Sequence, residues 1–566
     1  MTLKSKSRRR AGRIFTLGLV GAVLCACNAS TTSLKPSGAG DPVTSGLRSK
    51  ITTIVVIYAE NRAFDNLYGN FPGAVGLADV VDAAGHPLPG YVPQVDRNGS
   101  VLPSLPQSWG GVTASGYSPV ISQAESAGLP NAPFAIERAF TAQSGVVLTS
   151  SAVTRDLYHR FFEHQMQIDN GSNDGYAAWS DAGGLSMGYY DTSRSALYAL
   201  ARRYVLADHF FQGAFGGSFL NHQYLICACA PEYPNADQSP AKPSITVLET
   251  GADGRTLPRL MIAKDSPQSA LDGPPKFVKS GNIAPADYFG DGIFHAVNTM
   301  QPAYQPSGNA PAGADGDGRY ADPGKATTLP PQSASTIGDL LSGKKVTWAW
   351  YSGAWTAALA DGAQPAAKER RVIYAPDIPA GSPDFQPHHQ PFNYYARFDP
   401  QRHSDQRTEH LKDYEDLVAD SAAGRLPQVV FYKPQGNLNQ HAGYASIADG
   451  DAHIADLVAK LSASPQWAHM VIVITYDEFG GAWDHVAPPK GDLLGPGARI
   501  PAIVVSPFAK MGTVDHTPYD TGSIVRLITR RFDLEALPGL KLRDHTLADR
   551  GEQPMGDLTN ALELTP

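Results

Sequence analysis

Short, unbroken apolar runs punctuate this chain at residues 51–58, 345–351, 426–432, 471–476 and 500–507. They are rich in Val, Ile, Trp and Tyr and alternate only weakly with polar positions. That pattern reads as strands buried on both faces. Segments at 408–419, 449–463 and 523–532 instead carry apolar residues at helical spacing. Strands interleaved with helices predict an α/β fold with a doubly wound, mostly parallel sheet. Residues 72–130 and 231–333 are dense in Gly, Pro, Ser and Asp and read as long loop insertions.

The chemistry sits where the strands end. The run at 471–476 empties into Asp477-Glu478-Phe479-Gly480-Gly481, then Asp484-His485 and a Pro pair. Two adjacent carboxylates repel, so they need a proton or a cation between them. At the carboxyl end of a strand they also lie where open α/β sheets bind ligands. The run at 51–58 ends in Glu60-Asn61, residues that either cap the next helix or add hard oxygen ligands to the same site. His441 follows the strand at 426–432 and is expected on the same sheet edge.

Other candidates lie between these strands. Gly216-Gly217-Ser218 precedes an apolar periodic run, which puts Ser218 at a helix N-terminus, either as a cap or as a nucleophile favoured by the helix dipole. Residues 156–171 read as a helix holding His159 and His164. Five apart, these two do not share a helix face, so one is expected at the site and one at the surface. His388-His389 follow a Pro-rich loop.

Composition narrows the class. Of 566 residues, 18% are charged and 42% hydrophobic, and the net charge is -8. The chain is globular, with no reason to expect nucleic-acid binding. Its start differs: a basic segment from Lys4 to Arg13 is followed by an apolar run of signal-peptide length. Residues 1–27 are expected to be an export signal. Its end, Leu24-Cys25-Ala26-Cys27, resembles a lipobox that would lipidate Cys27. Residues 28–49 read as a flexible tether, leaving 50–566 as one domain. The product is expected in the periplasm or cell envelope, anchored through Cys27, or secreted. Cys227 and Cys229 read as small core side chains rather than a disulfide.

Glu60-Asn61-Arg62-Ala63-Phe64-Asp65, Asp477-Glu478-Phe479-Gly480-Gly481 and Asp484-His485-Val486-Ala487-Pro488-Pro489 together resemble the signature segments of the bacterial phosphoesterase family. That family holds phospholipases C and acid phosphatases. The resemblance implies an alkaline-phosphatase-like fold and a divalent metal of unspecified identity held by Glu60, Asn61, Ser218, Asp477 and Glu478. It further implies a Ser218 nucleophile assisted by His159, His441 and His389, with Asn61, His159 and His441 on the phosphate. Ser rather than Thr in the Gly-Gly-Ser segment is similar to the acid phosphatase branch, making phosphate monoesters the expected substrates. The alternatives are a phospholipase C, with residues 72–130 and 301–333 rimming its groove, and a non-catalytic surface lipoprotein. Any membrane attachment is expected only through the N-terminal anchor. Protonated histidines would suit an acid pH optimum.

Overall fold

The structure, a computed structural model, describes residues 40–375 and 382–565. The expected signal peptide, Cys27 and the first part of the tether lie outside the described residues. An eight-stranded sheet forms the centre. In chain order its strands are β1 (Thr53–Ala59), β2 (Val205–Ala207), β3 (Trp348–Ser352), β4 (Leu411–Asp413), β5 (Val429–Lys433), β6 (Met470–Tyr476), β7 (Ala502–Val505) and β8 (Thr513–Asp515). Across the sheet they run β8-β2-β7-β6-β1-β5-β3-β4. Only β7 is reversed, antiparallel to both β6 and β2, so the mostly parallel α/β fold is as expected.

Every residue of β1, β3, β5 and β6 is buried. Burial on both faces explains why these strands read as unbroken apolar runs. The parallel register pairs Ala59 with Tyr476 and Ile57 with Tyr432. The residues just beyond β1, β5 and β6 therefore leave the sheet side by side at one edge.

Several expectations need correction. The last part of the supposed tether, residues 42–49, lies in a helix, α1 (Pro42–Lys50), capped by Asp41. The helix expected over 156–171 is only α2 (Phe161–Ile168), because Asp181 accepts from the Tyr158 amide (2.8 Å) and Arg160 is still extended. His159 thus precedes the helix, and His164 is fully buried rather than on the surface. Ser218 opens α3 (Ser218–Cys227). The helix expected over 408–419 is split into α4 (Ser404–His410) and α5 (Tyr414–Ala422), since residues 411–413 are captured by the sheet edge as β4. Then come α6 (Ile447–Ser462), α7 (Thr521–Phe532) and α8 (Pro538–Asp549). Cys227 and Cys229 are disulfide-bonded, with Cα atoms 5.2 Å apart. Ala228 between them caps α3 in a left-handed conformation, which folds the chain back and brings the two sulfurs together.

Candidate active site

Beyond β1, the Glu60 amide donates to the Asn439 carbonyl (2.9 Å) and the Asn61 amide to Asp477 Oδ1 (2.9 Å). Asn61 adopts a left-handed backbone, φ 56°, which Asn tolerates better than most residues. Beyond β6, the Asp477 amide donates to the Ala59 carbonyl (3.1 Å), locking the two strand ends together. Glu478 Oε2 accepts from the Gly480 amide at 2.7 Å. That turn needs glycine: Gly480 has φ 63°, and a Cβ there would meet the Asn61 carbonyl oxygen at 2.2 Å.

Ser218 enters from α3. Gly217 is the N-cap, so Ser218 does not cap the helix. Its Oγ lies 3.0 Å from Glu60 Oε2, 3.2 Å from Asn61 Oδ1 and 3.5 Å from Glu478 Oε1. One hydroxyl proton cannot satisfy three acceptors. Asp477 Oδ2 is also buried without a hydrogen-bond partner. Burial first, then neighbouring carboxylates, pushes Asp477 and Glu478 well above the usual carboxylate range. This crowd of hard oxygens fits a divalent cation.

The histidines divide between a cleft and a buried wall. Asn61 Nδ2 lies 3.0 Å from His441 Nε2 and 3.5 Å from His159 Nε2. His441 Nδ1 donates to the Ala442 carbonyl, which leaves Nε2 as the acceptor for Asn61. His159 Nε2 is 3.8 Å from Glu478 Oε1. His389 does not line the cleft; its Nε2 sits 3.0 Å from Glu60 Oε1 and its ring stacks on His222 at 5.1 Å. The neighbouring His388 faces the cleft, bonded to the Tyr374 hydroxyl at 2.9 Å. Burial pushes His441, His389 and His222 well below the ordinary imidazole value, and for His389 and His222 the cation of Lys433 is the next cause. This direction runs against protonated histidines at mild pH in the free site.

Sequence reading missed Lys433 and His222, and it did not assign His164 its place. Lys433, the last residue of β5, is fully buried, ion-paired to Glu60 Oε1 and bonded to the Ala59 carbonyl at 3.2 Å. His222, one helical turn after Ser218, bonds the Ser218 carbonyl at 2.7 Å and stands 3.8 Å from Asp477 Oδ2. His164 accepts from the Gly216 amide (3.0 Å) and stacks on Phe479 at 3.6 Å, so one ring braces both the Ser218 turn and the Asp477-Glu478 turn. His485 belongs elsewhere: it pairs with Asp65 (2.6 Å), beside Asp484 and Arg499.

The cleft over Ser218 has a volume of about 420 Å³ and is lined by His159, His441, Arg160, Asp384, Tyr374 and Tyr444 among others. That size suits a small molecule. Among the described residues its rim comes from Asn282, Asn298, Tyr374, Asp384, His388 and Tyr444, not from 72–130 or 301–333 as expected.

A mixed α/β sheet that gathers a serine, hard oxygen groups and histidines at one edge defines a class of ester hydrolases. The Phosphoesterase family model matches residues 51–535, and the chain belongs to that family. It is 29% identical over 159 residues to "Phospholipase C B" of Mycobacterium tuberculosis, covering 24% of this chain and 30% of that protein. With "Non-specific phospholipase C6" of Arabidopsis thaliana it shares 30% identity over 147 residues, covering 21% and 28%. The chain thus matches less than a third of these relatives' length. Among solved structures, the lipoteichoic acid synthase LtaP from Listeria monocytogenes aligns over 72% of this chain and 74% of its own, at 8% identity and a TM-score of 0.27.

Proposed function

We propose that this protein hydrolyses phosphate monoesters through a phosphoserine at Ser218. The observation that carries this reading is Ser218 Oγ, at the first position of α3 and within 3.5 Å of Glu60, Asn61 and Glu478. Glu60, Asn61, Asp477, Glu478 and Ser218 would hold the divalent ion. Bound there, the ion supplies Lewis acidity that favours the serine alkoxide and offsets phosphate charge. The oxygen-rich set suits Mg²⁺, Ca²⁺ or Mn²⁺, and the nearby imidazoles of His222 and His389 also admit Zn²⁺.

Ser218 Oγ attacks phosphorus in line with the leaving alcohol. Backbone N–H groups at the start of α3 would receive the equatorial oxygens. Asn61 Nδ2 and His159 face the same oxygens, and a cleft histidine delivers a proton to the departing alkoxide. His389 and Lys433 orient and balance Glu60 from the buried side. Water then attacks phosphorus from the vacated side, releasing phosphate and restoring Ser218.

The relatives' names favour a second reading, phospholipase C activity, for which a choline phospholipid is the substrate to try. The cleft admits both: Arg160, Asp384, His159 and His441 line it together with Phe219, Tyr374 and Tyr444, a mixed polar and aromatic entrance. For location we infer export, with Cys27 lipidated; the support is the sequence of residues 1–27 alone.

The test is activity with and without EDTA on p-nitrophenyl phosphate and on a choline phospholipid. Monoester hydrolysis with little diacylglycerol supports the phosphatase reading, and the reverse overturns it. Ser218→Ala should lower kcat at least ~10³-fold while retaining bound metal. Near-full activity in that variant rules out the phosphoserine.

A further inference from the structure

A second cluster of metal-type ligands sits at the same sheet edge, away from Ser218. Strands β2 and β8 are parallel neighbours with Ala207 paired to Asp515. The residues following each strand, Asp208-His209 and His516, therefore emerge side by side. The amide of Asp208 donates to the Asp515 carbonyl (3.2 Å), which fixes this alignment. Two strands separate β2 from β1, so the cluster lies roughly 15 Å across the sheet from Glu60 at ~4.8 Å per strand.

Asp208 is fully buried. Its Oδ1 accepts from His209 Nδ1 at 2.7 Å and its Oδ2 from His516 Nδ1 at 2.8 Å. The Val75 amide also donates to Oδ2, at 2.8 Å. The nearby cation of Arg499 points Nη1 at the Asp208 carbonyl (2.8 Å) and its other nitrogens at Asp65 and Asp484. The carboxylate is thus left to the two imidazoles and the Val75 amide. One donor atom from each of the three residues lies within 4.8 Å of the others. Both rings border an open cleft of about 610 Å³. The His516 side chain is 55% exposed and the His209 side chain 25%.

We propose that Asp208, His209 and His516 form a second metal site, selective for a transition-metal dication of the zinc class. Two imidazoles and one carboxylate make three protein ligands and leave a position open to the cleft, the donor set Zn²⁺ prefers and Mg²⁺ does not. Ligands on a tetrahedral zinc ion stand ~3.3 Å apart, about half an ångström wider than the present nitrogen–oxygen contacts. His516, on an exposed turn, supplies that movement by rotating. The two nitrogens that now donate to Asp208 would bind the ion, each ring staying a neutral imidazole with its proton on Nε2. The ion ties the turn after β2 to the turn after β8, so occupancy stabilises the fold without entering the reaction.

The experiment uses the full protein, stripped with chelator, reloaded with Mg²⁺ and titrated with Zn²⁺, and separately with Co²⁺. Zinc equivalents are counted by mass spectrometry, and Co²⁺ is followed by its visible absorption. Wild type should bind one more zinc equivalent than His516→Ala, whose affinity at this site falls by at least ~10-fold. The zinc-induced rise in melting temperature should be lost in the same variant, with turnover in Mg²⁺ unchanged. His516→Gln serves as a second variant that keeps a polar side chain against Asp208. Equal zinc counts and equal cobalt spectra in wild type and both variants would overturn the proposal and leave the cluster a plain hydrogen-bonded triad.

Discussion

His485 shows how one side chain can couple this fold to pH. Burial pulls its pKa down, but Asp65 and Asp484 more than offset this and hold it above its ordinary 6.5, against Arg499 on the same network. A raised imidazole stabilises the fold fully below its unfolded value, and that stability is lost as pH rises through the folded value. Asp65, by contrast, is held below its ordinary 3.8: burial raises it, and His485 and Arg499 bring it down. Its contribution is present above that ordinary value and is lost as pH falls through the folded value. The pair is therefore strongest between about pH 4 and 6.5. Melting curves of wild type and His485→Ala from pH 5.5 to 9 should converge as pH rises; a constant gap would refute the coupling. At this scale the sequence was only partly legible. Glu60, Asn61, Asp477 and Glu478 announce themselves as polar residues ending apolar strands. Lys433 also ends a strand, but a lysine before a proline looks like any solvated edge, and nothing local says that Glu60 on the next strand will bury it. His222 did carry a signal, its four-residue spacing from Ser218, which places both on one face of α3.

Elements that meet the site do so through short turns, and these turns set its tolerances. Phe479, Gly480 and Gly481 hold the Asp477-Glu478 pair against β1: the Phe479 amide donates to Gln212 Oε1 (3.0 Å), and Gly480 touches the Asn61 backbone. A methyl group at Gly480 collides with backbone rather than with a flexible side chain, so Asn61 must move. Gly480→Ala is expected to lower kcat/KM by ~10²-fold or more, as an ångström of misplacement does, while the protein stays folded at 25 °C. A variant with wild-type kcat/KM would show that Asn61 need not be held so closely. Boundaries were the least legible part of the elements. The periodicity over 408–419 is real, but the edge of β3 pairs with Leu411–Asp413 and interrupts the helix, a tertiary demand invisible in a local pattern. The same holds for residues 156–160, whose backbone is drawn toward Asp181 instead of into α2.

Across the whole molecule, the central strands follow from burial, whereas the closure of the chain's ends depends on residues that look like linker. The run of Ser, Thr, Gly and Pro before residue 51 has a flexible composition, yet its last turns are fixed as α1 against α7. Asp41 caps α1, accepting from the Val43 and Thr44 amides at 3.3 and 3.1 Å, and also pairs with Arg530 of α7. Arg530 Nε further donates to Thr44 Oγ1 at 2.9 Å, and Arg48 pairs with Asp533 at 2.8 Å. Leu47 and Ile51 are completely buried, each contributing about 1.5–3 kcal/mol of apolar burial. The exposed ion pairs add little by comparison. A protein beginning at residue 40 should therefore melt about 2–5 °C above one beginning at residue 52, the modest shift expected when a few kcal/mol act on a large cooperative unit. Both should hydrolyse p-nitrophenyl phosphate with kcat/KM within ~2-fold, because α1 bonds to α7 and the chain end and touches none of the residues around Ser218. Equal melting temperatures would return residues 42–49 to the role of tether, and a selective loss of activity would mean that α7 transmits strain from the chain ends to the sheet edge.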